Sequence, residues 1–175
     1  MASVLVPLAQ GCEELEAVTI IDLLRRAGIV VTTAGLDKQK VTASRGVVLV
    51  PDTELDIALE QDYDMIVLPG GLPGADHLDN DPRLRERLIS MASTGKMVAA
   101  ICAAPKVLAS TGILEGKKLT CYPGVLDNSE GTAVVEDGNV ITSRGPGTAM
   151  DFALSLIEKL VGKEKRDEVE KGLVR

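Results

Sequence analysis

The sequence predicts a three-layer α/β/α sandwich built on a mostly parallel sheet. Three observations carry that expectation. Residues 4–8, 65–68 and 97–101 are short runs that are apolar at nearly every position, as strands covered on both faces must be. Segments with helical spacing alternate with them. Crossovers between parallel strands are right-handed, which places helices on both sides of the sheet. The 175 residues contain no repeat, no low-complexity stretch and no linker, so residues 1–175 are expected to form one domain.

Taken in order, residues 4–8 open the sheet. Residues 13–27 have helical spacing, with Leu15, Val18, Ile21 and Leu24 recurring and Gly28 closing the turn. Residues 29–34 form a second strand. Residues 41–44 and 47–50 are β-branched, flank Arg45-Gly46, and predict short strands or a hairpin. Residues 55–59 give one or two helical turns, and the strand 65–68 runs into Pro69-Gly70-Gly71. Asp81 before Pro82 is a side-chain acceptor ahead of a first-turn proline, and it starts a helix that runs to about Thr94. Strand 97–101, helix 103–111 and a further strand over 118–121 follow. Asp137-Gly138 marks a hairpin within 134–141. Residues 147–161 are the most amphipathic helix, with Met150, Leu154, Ile157 and Val161 on one face, and 163–173 form a charged, helical tail.

Composition excludes several functions. A net charge of −7 lacks the basic face that nucleic acids require and is equally unsuited to anionic membranes. Aromatic residues are 2% of the chain, so the core falls to Val, Leu, Ile, Ala and Met. Three scattered cysteines, Cys12, Cys102 and Cys121, make no disulfide framework, and with a single His they predict no metal site. No signal peptide or run of ~18 apolar residues is evident, so the chain is expected in the reducing cytoplasm. Neither G-x-G-x-x-G nor a Walker A motif occurs, and no cofactor is implied.

Ligands of such sheets bind outside the carboxyl ends of the strands, which selects residues 11–16, 69–74 and 102–105. Cys102 follows one strand and precedes a helix without a linker, among four alanines, like the nucleophile at a sharp strand-to-helix turn. A helix N-terminus there stabilises a thiolate. The alternative is a small buried hydrophobe. Pro69-Gly70-Gly71 is either a plain turn or, with the N–H of Ala103, a source of oxyanion donors. Glu13 and Glu14 suit the helix dipole, whereas Glu16 lies one turn further in. A carboxyl beside a thiolate holds its proton more tightly and serves as general acid and base. His77 reads as a surface residue, Cys12 and Cys121 as packing, although Cys121 and Tyr122 end a strand where they would line the same pocket.

Taken together, five motifs resemble the ThiJ/PfpI (DJ-one) superfamily. They are Gly11-Cys12-Glu13-Glu14-Leu15-Glu16; Leu36 with Ser44-Arg45-Gly46-Val47; Val67-Leu68-Pro69-Gly70-Gly71; Ala99-Ala100-Ile101-Cys102-Ala103-Ala104-Pro105; and Thr142-Ser143-Arg144-Gly145-Pro146-Gly147-Thr148. Their order is the family's and they span nearly the whole chain. The resemblance is closest to the branch of the Parkinson-disease-associated protein deglycase and bacterial ThiJ-like proteins. It implies a flavodoxin-like, class I glutamine amidotransferase-like sandwich and a homodimer. It implies an oxidation-sensitive nucleophile at Cys102, a protonated carboxyl partner at Glu16, and oxyanion donors at Gly71 and Ala103. Gly70, Arg45, Arg26, Tyr122 and Pro146 are the implied substrate-binding positions. The implied chemistry is glyoxalase or protein-deglycase action on methylglyoxal, glyoxal or glycated amino groups. The alternative is a redox sensor or stress-protective chaperone acting through a Cys102 sulfinate. PfpI-type proteases carry His directly after the nucleophile and this chain has Ala103, which argues against proteolysis. The branch's nearby His is replaced by Tyr122, whose ordinary pKa of ~10 is unsuited to base catalysis at neutral pH.

Overall fold

The computed structural model describes all 175 residues. Seven strands form the main sheet. They are β1 (Ser3–Leu8), β2 (Val30–Gly35), β5 (Thr53–Glu54), β6 (Met65–Leu68), β7 (Met97–Ile101), β8 (Val134–Asp137) and β9 (Val140–Ser143), in the order β5-β2-β1-β6-β7-β9-β8. All neighbours are parallel except β8 and β9, which pair as an antiparallel hairpin. The small strands β3 (Val41–Thr42) and β4 (Val48–Leu49) form the separate hairpin expected around Arg45-Gly46.

The helices are α1 (Glu14–Arg26), α2 (Leu55–Ala58), α3 (Gly74–Asp79), α4 (Pro82–Ser93), α5 (Pro105–Ser110), α6 (Ala149–Val161) and α7 (Lys163–Gly172). One apolar layer joins α1 and α6 to one face of the sheet, with Ile20, Leu24, Phe152 and Ile157 fully buried. The other joins α3, α4 and α5 to the opposite face through Leu78, Leu84, Leu88 and Val107. Asp81 caps α4 as expected, accepting from the N–H groups of Arg83 and Leu84. No helix is long and apolar enough to cross a membrane.

Three expectations are corrected. Residues 118–121 form no strand. β9 takes the place beside β7, and this segment is tied by single bonds rather than a ladder: Thr120 N–H donates to the Thr142 hydroxyl at 2.9 Å and Tyr122 N–H to the Cys102 carbonyl at 2.8 Å. The short helix α3 lies outside the predicted elements; it buries Ala75 and Leu78 and leaves His77 exposed, as expected of that residue. The buried stripe of α1 is Glu16, Ala17, Ile20, Leu23 and Leu24, while Leu15 and Val18 face outward. On α6, likewise, Phe152, Ala153, Leu154, Leu156 and Ile157 are inside, and Met150 and Val161 are exposed. The rotation of α1 matters most, since it carries a carboxyl into the core.

Candidate active site

β7 ends at Ile101 and the chain turns through Cys102, whose φ of 64° is in the left-handed region that a non-glycine residue seldom occupies. Such a conformation persists only where neighbours impose it. Both peptide groups of Cys102 are gripped: its N–H donates to the Ser143 carbonyl at 2.9 Å, and its own carbonyl accepts from the Tyr122 N–H at 2.8 Å. The sharp turn expected from the sequence is present.

Glu16 approaches from α1. Glu13 caps that helix by accepting from the Glu16 N–H at 2.8 Å, which fixes the first turn and aims the Glu16 side chain inward. The residue is 0% exposed. Its Oε2 accepts from the Gly70 N–H at 2.8 Å, and Oε1 has no other partner, leaving this carboxyl to the Cys102 thiol. Burial pushes the Glu16 carboxyl up to about 7, against the opposing pull of its bonds with Cys102 and Gly70. Burial also pushes the Cys102 thiol up to about 12, helped by the charge of an ionised Glu16 and by the bond to it. The N–H groups of Gly71 and Ala103 pull the thiol the other way.

The thiol is therefore not activated by a helix end in the resting pair, contrary to the sequence expectation. α5 has only six residues and begins three residues beyond Cys102, so its dipole is outweighed by burial and by the adjacent carboxylate. Burial and mutual repulsion keep the two groups from ionising together. When Glu16 holds its proton that repulsion disappears, and the Gly71 and Ala103 N–H groups remain directed at sulfur.

Gly70 belongs to a different role from the one expected. Its N–H is consumed by Glu16, so it positions the acid and does not face a substrate. A Cβ at this residue would lie 2.7 Å from Cys102 Cβ and 2.8 Å from Glu16 Oε2, which explains the glycine. Gly71 has φ +88°, and a Cβ there would meet Glu13 N at 2.5 Å.

The remaining expected residues divide. Tyr122 and Pro146 line a cleft of about 200 Å³, and the Tyr122 N–H ties one of its walls to the Cys102 backbone. Arg45 sits on the β3–β4 turn, where its N–H donates to the Glu14 carboxylate, and it has no recorded contact with Cys102. Arg26 pairs with Asp22 at 2.8 Å, ten residues along α1 from Glu16 and so ~15 Å away along the axis. Neither arginine joins the pocket of its own chain. Cys12 is buried, and burial raises its thiol to about 12. Cys121 is buried in the opposite layer, and His77 is exposed on α3. No trio of His, Cys, Asp or Glu is grouped to hold a metal ion. A larger depression of about 470 Å³ lies elsewhere, at the sheet edge, beside Lys38, Lys40 and Pro51.

Sequence reasoning missed Ser143 and Thr148. Their hydroxyls lie 2.7 Å apart, and the Thr148 hydroxyl also accepts from the Gly145 N–H, which braces the loop that grips Cys102. The available signal was pairing register: β7 and β9 align Ile101 with Ser143.

Comparison with known proteins places the chain in a family. The family model described as the DJ-1/PfpI family matches residues 2–159. The chain belongs to the DJ-1/PfpI family. It is 49% identical to Protein dj-1beta of Drosophila melanogaster, over 98% of this chain and 96% of that one. It is 37% identical to the Caenorhabditis elegans glutathione-independent glyoxalase DJR-1.2, over 98% and 95%. The structure of oxidized Toxoplasma gondii DJ-1 superposes with a TM-score of 0.96 at 39% identity, covering 99% of this chain and 98% of that one. The fold is thus the three-layer sandwich that the alternation of strands and helices predicted, in the flavodoxin-like form that the resemblance implied.

Proposed function

We propose that this chain converts α-oxoaldehydes such as methylglyoxal and glyoxal into hydroxy acids, and releases amino groups from their glyoxal adducts, without a cofactor. The observation that carries the reading is the Cys102–Glu16 pair, with a carboxyl that titrates near neutrality and the N–H groups of Gly71 and Ala103 at sulfur. Cys102 sulfur adds to the aldehyde carbon, and the thiol proton passes to the carbonyl oxygen, giving a hemithioacetal. Glu16 removes the proton on that carbon and returns one to the neighbouring carbonyl carbon, so the adduct rearranges to a thioester of the hydroxy acid. Gly71 and Ala103 N–H groups stabilise oxygen charge in these steps. Water then cleaves the carbon–sulfur bond and restores the thiol, for a net uptake of one water. That the C. elegans relative is a glutathione-independent glyoxalase by name supports this reaction class.

The test is lactate formation from methylglyoxal by wild type, Cys102→Ser and Glu16→Gln. Loss of activity in both variants is expected, and wild-type turnover in Cys102→Ser rejects the mechanism. A second reading is a redox sensor or stress-protective chaperone in which Cys102 becomes a sulfinate held by the same N–H groups. Its support is the converging donors and the oxidized state of the T. gondii protein. Two oxygens added to Cys102 by mild peroxide, with negligible lactate production, favour it over catalysis.

The proposal extends to assembly. Leu15 and Val18 are half exposed on α1, next to exposed Val47 and Val48 of the hairpin, and Glu14 ties the two by accepting from Ser44, Arg45 and Val47. A second copy of the chain is the occupant we assign to this face. Three free cysteines suit a reducing cytoplasm.

A further inference from the structure

Every arginine of this acidic chain has a carboxylate partner except Arg45 and Arg144. Arg144 lines a cleft whose two walls are tied to the peptide groups of Cys102. It follows Ser143, whose carbonyl accepts from the Cys102 N–H. Across the cleft stands Tyr122, whose N–H donates to the Cys102 carbonyl. The Tyr122 ring lies over Gly145, where a Cβ would come within 3.4 Å of it, and Pro146 closes the end.

Arg144 is held in place without being neutralised. Its Nη1 donates to the Gly131 carbonyl at 2.9 Å, which orients the guanidinium but leaves the charge intact. The Nε and Nη2 groups have no recorded partner. Together they form the side edge of the guanidinium, the pair of parallel donors that a carboxylate accepts in bidentate fashion. A cleft of about 200 Å³ has room for a short carbon chain.

We propose that this cleft is the subsite for the distal carboxylate of an α-oxoaldehyde, with Arg144 its binding residue. The substrate class is then an α-oxoaldehyde ending in a carboxylate a few carbons from the reacting carbonyl. This deepens, and rests on, the α-oxoaldehyde reading of the Cys102 site. Tyr122 forms the wall along which the carbon chain lies.

The experiment compares 4,5-dioxovalerate with methylglyoxal, which shares the reactive group and lacks the carboxylate. In wild type, kcat/KM is expected to favour dioxovalerate by roughly tenfold or more, as one charge-assisted bidentate contact allows. Arg144→Met is expected to erase that ratio. Arg166→Met, a remote surface change, leaves the ratio as it is. Equal ratios in wild type and Arg144→Met overturn the proposal, as does a wild type that prefers methylglyoxal.

A second measurement does not depend on turnover. Cys102 is alkylated with 4-iodobutyrate or 4-iodobutyramide: a sulfur–carbon bond forms, iodide leaves, and the thiol proton goes to solvent. The carboxylate reagent is expected to react faster relative to the amide in wild type than in Arg144→Met. If neither aldehyde is consumed, the proposed activity fails while this ratio still decides the subsite. An alkylation ratio unmoved by Arg144→Met then overturns it.

Discussion

Replacing Glu16 by Gln should stabilise the protein, and by an amount set by pH. Glu16 is fully buried, and burial raises its carboxyl from an ordinary 4.5 to about 7. In the unfolded chain the group ionises near 4.5, so between that pH and about 7 the folded state holds a proton that the unfolded state has lost. Stability must then fall as pH rises across this window. The full contribution is present below pH 4.5, and the penalty is complete above about 7. At about 1.4 kcal/mol per pH unit, this interval amounts to about 3 kcal/mol. Gln is neutral throughout, and its carbonyl oxygen still accepts from the Gly70 N–H. Urea unfolding of wild type and Glu16→Gln from pH 4 to 8 gives the difference directly. The variant's advantage should grow by about 3 kcal/mol across the window and then level off. Parallel stability curves would falsify the assignment of a buried, proton-retaining acid.

Two other outcomes are expected. Gly70→Ala forces a Cβ to within 2.7 Å of both Cys102 Cβ and the Ile101 carbonyl, so it should lower stability by about 1–3 kcal/mol and abolish lactate formation, as thermal denaturation and the methylglyoxal assay report. Leu15→Glu combined with Val18→Glu should convert a dimer to a monomer in light scattering with little loss of folding, since both side chains are half exposed in the single chain; an unchanged mass sinks the assigned face.

Much of the fold was legible because parallel strands buried on two faces advertise themselves. The run Met97–Ile101 and the Asp81-Pro82 helix start lie where their local chemistry requires. The missing strand at 118–121 shows the limit of such reading. Its composition suits a sheet, but the place beside β7 goes to β9, which local composition does not reveal. Of the site, the elbow at Cys102 and the carboxyl at Glu16 were apparent from position and family motifs. Local spacing alone misread α1, because Leu15, Val18, Ile21 and Leu24 make a convincing stripe that the protein turns partly outward. The direction of the thiol shift was also hidden, since it depends on how closely a carboxylate from another segment approaches. Gly70 likewise gave no hint that its N–H would be taken by an acid 54 positions earlier.

The grip of Ser143 on the Cys102 peptide has a consequence for biosynthesis. Cys102 emerges from the ribosome 41 residues ahead of the carbonyl that fixes its backbone. Until β9 is made and slides in beside β7, the sulfur is an ordinary cysteine on a loose loop, unable to hold its left-handed bend. A truncated or half-folded product therefore lacks the Cys102 elbow, which exists only in a chain completed through its last strand.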